Sequence, residues 1–419
     1  MKKILLLFVL LLFGCTEKGD IAPLSGRRAV FNSEISLEKS TGKPQLSTAE
    51  KTENWTMQYK NSRNNRPHTR MGKSIQQTAT VSIGAGVDEN GFSLAGPVVF
   101  ETTAYTLDSH FVLQATDIKT GQQKWRKKLA DIRGTSSKSV GLTIYRNSLY
   151  AVSGNGLVIA TNLSGKEQWQ KDLKVPLRSS PTADEGRLFI TSINNELFVL
   201  KTKDGQELWQ YKGDKPTITN FFGVATPAVQ GDVVVMPTTT GRVNAFDVET
   251  GILLWAETLW KNKTYNTLLD MPQITSAPVI DGKAVFMVGN AGRSGLWQLE
   301  TGMPIYTLPF GGRETPIISG NSIFLITNYN KLLCLNKQDG TLFWEKDLKE
   351  LNKTADWFAP VLINNQVILT SSAGDILFLD TKTGQQKRQE KTNPLSKAPV
   401  LAKETMLLLT THGDLLIYK

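Results

Sequence analysis

Ala115-Thr-Asp117-Ile-Lys-Thr120-Gly121-Gln-Gln-Lys-Trp125 returns later in the chain as Ala245-Phe-Asp247-Val-Glu-Thr250-Gly251-Ile-Leu-Leu-Trp255, with the same residue types at the same spacings. Shorter copies read Asp204-Gly205 before Trp209, Asp339-Gly340 before Trp344, and Ser164-Gly165 before Trp169. Thr301-Gly302 is followed by Tyr306, and Thr383-Gly384 by Arg388. A period of roughly 40–45 residues filled with short strands is the signature of a β-propeller. Glycine supplies the positive φ of each turn, and the Asp or Thr side chain bonds nearby backbone N–H groups. The Trp indole suits a wedge between neighbouring blades, with its N–H offered to a carbonyl.

A second repeat sets the blade count. Pro97, Pro181, Pro227, Pro278, Pro316, Pro360 and Pro399 each open an apolar run, and Gly141 stands in the same place in the second unit. Proline has no donor for a ladder, so it belongs at the start of a strand. Each unit then offers three further strands, such as Arg187–Ser192, Asn195–Leu200 and the one opened by Trp, which makes a four-stranded blade. The eighth unit stops at Gly413–Lys419 without a fourth strand. The strand Asn54-Trp55-Thr-Met57-Gln-Tyr59 is the expected donor, because pairing the two chain ends removes two open sheet edges. The fold class is therefore all-β, an eight-bladed propeller over residues 54–419 closed by an N-terminal strand.

The first residues read as a targeting signal. Lys2-Lys3 precede the apolar run Ile4–Phe13, which is too short to span a bilayer and so reads as a cleaved signal over residues 1–14. Leu12-Phe13-Gly14-Cys15 resembles a bacterial lipobox, which implies acylation of Cys15 and a membrane anchor. Thr16 in the next position resembles the sorting signal for the outer membrane. From Cys15 to Glu53 the text is polar and without apolar period, as in a flexible tether. Cys334, the other cysteine, lies in an apolar strand and reads as a small buried hydrophobe.

Formal charge is +10. No run of five or six Lys/Arg and no basic stripe interleaved with aromatics appears, so the composition points away from nucleic acid. His68, His110 and His412 show no metal-ligand spacing. There is no Gly-x-Ser-x-Gly elbow and no phosphate loop, and Gly84-Ala-Gly86 and Gly154-Asn-Gly156 precede strands rather than helices. The reading is of a protein without catalytic residues, cofactor or metal.

The repeated phrase resembles that of quinoprotein (PQQ) dehydrogenases. Those enzymes are typically longer, many carry a vicinal Cys pair, and their calcium-binding Glu/Asn/Asp set has no match in this chain. The likeness implies a shared fold. A resemblance over almost the whole mature chain is to the BamB family of propeller lipoproteins, above all its alphaproteobacterial form. It rests on the lipobox, on Pro23-Leu-Ser-Gly-Arg27-Arg28, and on Asn54-Trp55-Thr-Met-Gln with Asn61 and His68 behind it. Thr226-Pro227-Ala-Val-Gln-Gly231-Asp-Val-Val-Val235 and Gly311-Gly-Arg-Glu-Thr-Pro316 continue it in order. The resemblance implies a non-enzymatic scaffold that docks on periplasmic domains of the barrel insertase BamA and helps deliver unfolded outer-membrane proteins.

The resemblance also carries a contact surface. One part is a loop of two apolar residues followed by Arg, here Val175, Leu177 and Arg178 before Pro181. A second patch has two acidic residues in the family where this chain has Gln273 and Thr275, with Asp270 close by. Independently, an apolar residue beside Arg in a loop has the composition of an interface anchor. The connection from Ala256 to Gln273, with Trp260, Lys261, Lys263 and Tyr265, exceeds ordinary loop length and suits recognition or a solvated excursion. Trp357 reads as an exposed aromatic or as blade packing. The alternatives to the scaffold are a PQQ-dependent dehydrogenase and a glycan- or peptide-binding lipoprotein.

Overall fold

The computed structural model describes residues 37–87, 94–130, 140–215, 225–260, 272–290 and 292–419. The signal at 1–14, Cys15 with the tether up to residue 36, and Asp270 with Lys261, Lys263 and Tyr265 lie outside the described residues. Those described form strands and turns, grouped in eight sheets. This is the eight-bladed propeller that the repeats predict. Strand A of each blade begins at or just after the predicted opening: Val98, Gly141, Thr182, Ala228, Val279, Ile317, Val361 and Val400. Strands B, C and D follow outward; in blade 1 they are Thr103–Leu107, Val112–Asp117 and Gln123–Lys128. Strands B and C are almost wholly buried, whereas strand D is mostly exposed.

The repeated phrase fastens each blade to the one before it. Trp169, Trp209, Trp255 and Trp344 donate Nε1–H to carbonyls of the following blade, those of Thr202, Val248, Leu299 and Thr381, at 2.8–3.0 Å. Tyr306 does the same with its hydroxyl, to Lys337 O at 3.0 Å. A bulge between strands C and D recurs beside these rings, for example at Ala115/Thr116, Ala245/Phe246 and Cys334/Leu335, and it re-aims the side chain toward the neighbour. The turn glycine then lies against the ring. Gly384 has φ +70°, and a Cβ there would stand 2.6 Å from Cε3 of Trp344. Gly384→Ala is therefore expected to cost about 1–3 kcal/mol in urea unfolding, from overpacking and backbone strain together.

The ring closes through a different strand from the one expected. Gln77–Ser82, not Asn54–Tyr59, pairs antiparallel with Asp414–Tyr418 as strand D of blade 8. An outermost strand needs only a modest apolar stripe, here Ala79 and Val81 packed on the blade 8 core. Trp55 and Met57 are apolar because they go deeper. Trp55 is buried beside blade 1, where it exchanges backbone hydrogen bonds with Val99 at 2.8 and 2.7 Å.

Candidate functional site

A strand A is the inner edge of its blade, so its outward-facing amides need partners in the central channel. The segment 52–69 supplies them on several blades. Lys403 N donates to Thr52 O (2.7 Å), Ile144 N to Thr56 O (2.7 Å), Val229 N to Ser62 O (2.7 Å) and Ile280 N to Arg63 O (3.0 Å). Asn64, held at φ 56°, donates from Nδ2 to Pro227 O and Pro278 O at 3.2 and 3.1 Å. His68–Thr69 adds as a parallel strand to Val361–Ile363 of blade 7. Both ring nitrogens of His68 lie on carbonyl oxygens, Ser47 O at 2.7 Å and Asn364 O at 2.9 Å.

The segment read as a flexible tether is likewise bound from residue 38 onward. Leu342 N donates to Glu38 O (2.8 Å) and Ser40 N to Leu342 O (2.9 Å). Gln45 N donates to Asn321 Oδ1 (2.7 Å), and the hydroxyls of Ser47 and Ser319 meet at 2.8 Å. These contacts run through backbone and small polar groups, so the segment shows no apolar period. Together the two stretches cross the channel at the mouth formed by the A–B turns.

Cavities of about 490 and 460 Å³ remain beside these stretches, and a third lies toward the other mouth. This funnel of about 320 Å³ descends to Gln58 and Tyr59 and is walled by the connections that precede strands A. Its charged walls are Arg178, Arg313, Glu314, Asp356 and Lys397. Arg313 pairs with Asp356 at 3.4 Å. Below them Arg66, nearly fully buried, donates from Nη2 to Thr315 O and Pro316 O at 2.5 and 3.0 Å and lies 5.4 Å from the centre of the Tyr59 ring. Burial lowers its pKa to about 10, with Tyr59 and Glu314 opposing the shift. Burial pushes the Glu314 carboxyl up, against the Ala359 N–H at 2.8 Å and the cations Lys397, Arg313 and Arg66. Burial pushes Lys397 down, and Glu314 offsets part of that.

The funnel brings Arg178 and Thr275 together on one face, each half-buried. Thr275 Oγ1 donates to Arg313 O at 3.0 Å. The other expected contact residues lie deeper. Leu177 is fully buried in the core shared by blades 2 and 3, so its side chain shapes the loop and presents no surface. Val175 packs half-buried against the same core, and Gln273 is buried. Trp357 is buried, bridged to Ser371 beside the funnel, and Trp260 is half-buried, bridged to Gly292. Cys334 is buried in blade 6 and its thiol is pushed up by that burial.

Sequence reasoning missed Glu314, Lys397 and the floor. The register held a signal for the walls. Counting back three residues from the opening prolines gives Thr275, Arg178, Arg313 and Trp357, and counting back two gives Glu314, Phe358 and Lys397. All of these line the funnel. Gln58, Tyr59 and Arg66 carry no such signal, because their segment lies outside the repeat.

The family model described as "Outer membrane protein assembly factor BamB" matches residues 109–331 and 311–419. Among relatives, the outer membrane protein assembly factor BamB of Yersinia pestis is 24% identical over 344 residues, covering 80% of this chain and 86% of that protein. Among solved structures, BamB from Moraxella catarrhalis superposes with a TM-score of 0.67 at 14% identity, covering 83% of this chain and 98% of that one. A europium-containing methanol dehydrogenase superposes at 0.70 and 13% identity, covering 87% and 98%. At such identities the two structures speak to the fold alone.

Proposed function

Since this chain belongs to the outer membrane protein assembly factor BamB family, we propose that it is a non-enzymatic scaffold of the outer-membrane β-barrel assembly machine. In this reading residues 1–14 are a cleaved signal and a lipidated Cys15 holds the protein at the periplasmic face of the outer membrane. The propeller docks on periplasmic domains of BamA while unfolded outer-membrane proteins are delivered. The observation that carries the docking surface is the funnel mouth. Arg178 and Thr275 reach it from the connections before blades 3 and 5, on a ring whose opposite mouth is crossed by its own chain. The acids of that mouth are engaged, Asp356 with Arg313 and Glu314 with the Ala359 N–H.

Arg178 is the residue to test. Arg178→Glu reverses charge at a half-exposed position, so it is expected to keep the fold and to lower recovery of BamA in a pull-down by about tenfold or more. Recovery equal to wild type would remove Arg178 from the interface. Failure of the wild-type chain to recover BamA at all would remove the function. Leu177→Asp does not discriminate, because it places a carboxylate in the core and lowers stability by itself.

A further inference from the structure

The outer edge of a blade is an unpaired strand, and natural sheets guard such edges with charge, most often lysine. Strand D follows this in blades 1, 2, 3, 6 and 7, which hold Lys124, Lys171, Lys212, Lys346 and Lys387. Strand D of blade 4, Leu253–Thr258, and of blade 5, Pro304–Leu308, contain neither Lys nor Arg. Blade 8 also lacks them, but its exposed positions there are Gln77, Thr78, Thr80 and Ser82.

The repeated phrase provides an internal comparison. After its glycine, blades 1 and 7 both read Gln-Gln-Lys, ending at Lys124 and Lys387. Blade 4 reads Ile252-Leu253-Leu254, and blade 5 reads Met303-Pro304-Ile305. The turn changes sign with it, since Lys119 and Lys382 are replaced by Glu249 and Glu300. With Leu208 on blade 3, these two blades hold every exposed large hydrophobic among the described residues, Ile252 at 64% and Met303 at 61%. These residues sit on neighbouring edges, since Gly251 and Gly302 lie on Trp209 and Trp255 and carry each turn over the preceding edge. A monomer in water rarely leaves such a patch uncovered.

We propose that the rim of blades 4 and 5 docks an extended protein segment of alternating apolar and basic residues, which adds as a further strand along Leu253–Thr258. An unpaired strand edge is satisfied by another extended backbone, and flanking apolar side chains select alternate apolar residues. Pro304 obstructs pairing on blade 5, which leaves the edge of blade 4. Charge selects the sign of the partner. Glu300 is exposed and has no ion pair among the described residues, and Glu249, although paired with Arg187, keeps its carboxylate largely exposed, whereas Glu257 is engaged by Arg293. The acidity that attracts a basic segment disfavours an anionic lipid surface. The surface lies on the rim, apart from the funnel mouth, and does not depend on the docking proposed there.

The test uses the full chain and a labelled synthetic peptide of about ten alternating valines and lysines, long enough for one strand, followed by fluorescence anisotropy. One variant, Ile252→Gln/Leu253→Gln/Leu254→Lys, rewrites blade 4 as blade 1. Lys124 there pairs with Asp117 at 3.1 Å, and Asp247 holds the matching place in blade 4, so the fold is kept. A second, Leu253→Gln/Leu254→Gln, changes no charge. The peptide is expected to bind wild type and to lose about tenfold or more in affinity for both variants, at unchanged melting temperature. A valine–glutamate peptide is expected to bind at least that much more weakly. Equal binding by wild type and the neutral variant, or no binding, would overturn the proposal. So would self-association or binding to phosphatidylglycerol vesicles that the neutral variant abolishes in place of peptide binding.

Discussion

Trp255→Ala lowers the unfolding free energy by about 3–5 kcal/mol, the range for truncating a buried aromatic. The indole fills the seam between blades 4 and 5, in a core that includes Val243, Val285 and Trp297. Its Nε1–H holds Leu299 O at 2.8 Å, and Gly302 lies against its ring. Truncation empties that seam and removes the donor together. The effect reads out as a lower urea midpoint at unchanged slope, because the ring still unfolds as one unit. Trp255→Phe keeps an aromatic ring and loses the hydrogen bond, so its cost is expected at about 1–2 kcal/mol. Equal losses in the two variants would show that the hydrogen bond, and not the packed ring, holds the seam.

Arg66→Met is the second large effect, at about 3–5 kcal/mol, the range for removing one member of a buried charged network. The carbonyls of Thr315 and Pro316 lose a charged donor, and Glu314 loses one of three nearby cations. A pH dependence follows from the raised Glu314 carboxyl. A carboxyl whose folded pKa lies above its ordinary value of 4.5 favours folding below that value, and the benefit is lost as pH rises through the folded pKa. Without Arg66 that pKa climbs further, so the window widens upward. The stability deficit of Arg66→Met is therefore expected to be greater at about pH 8 than at about pH 4.5. A deficit independent of pH would place the whole effect in the two carbonyl contacts.

The blades were legible because seven of the eight repeat the same local chemistry. Asp117, Asp247 and Asp380 accept backbone N–H groups in their turns at 2.7–3.1 Å, the glycine that follows takes positive φ, and Trp125 or Trp255 after it meets the next blade, where the last copy has Arg388. A single copy would have been ambiguous; recurrence at fixed spacing is what gave the count and the openings. The path of residues 38–75 was not legible, because it is bound through its own carbonyls and through isolated side chains such as Trp55, Arg66 and His68, which leave no periodic mark. The same cause misplaced the closing strand: Trp55 and Met57 have the apolar character of strand residues, while Gln77–Ser82 offers only Ala79 and Val81 to the core. At the mouth, Arg178 and Thr275 could be placed from the loops. The burial of Leu177 depends on the packing of blades 2 and 3, which no loop sequence reports.

The wiring of the N-terminal segment also sets an order of events. Gln77 and Tyr418, whose side chains meet at 3.2 Å, are 341 residues apart, and His68 is bonded to a residue 296 positions on. The closing strand Gln77–Ser82 therefore finds its partner only once the last blade exists. Contacts of such long sequence separation form slowly, since the loop must close before any of them stabilises the chain. The eight blades can assemble from their own local hairpins, but the ring is sealed only by its earliest residues, and an incomplete chain has nothing to seal against.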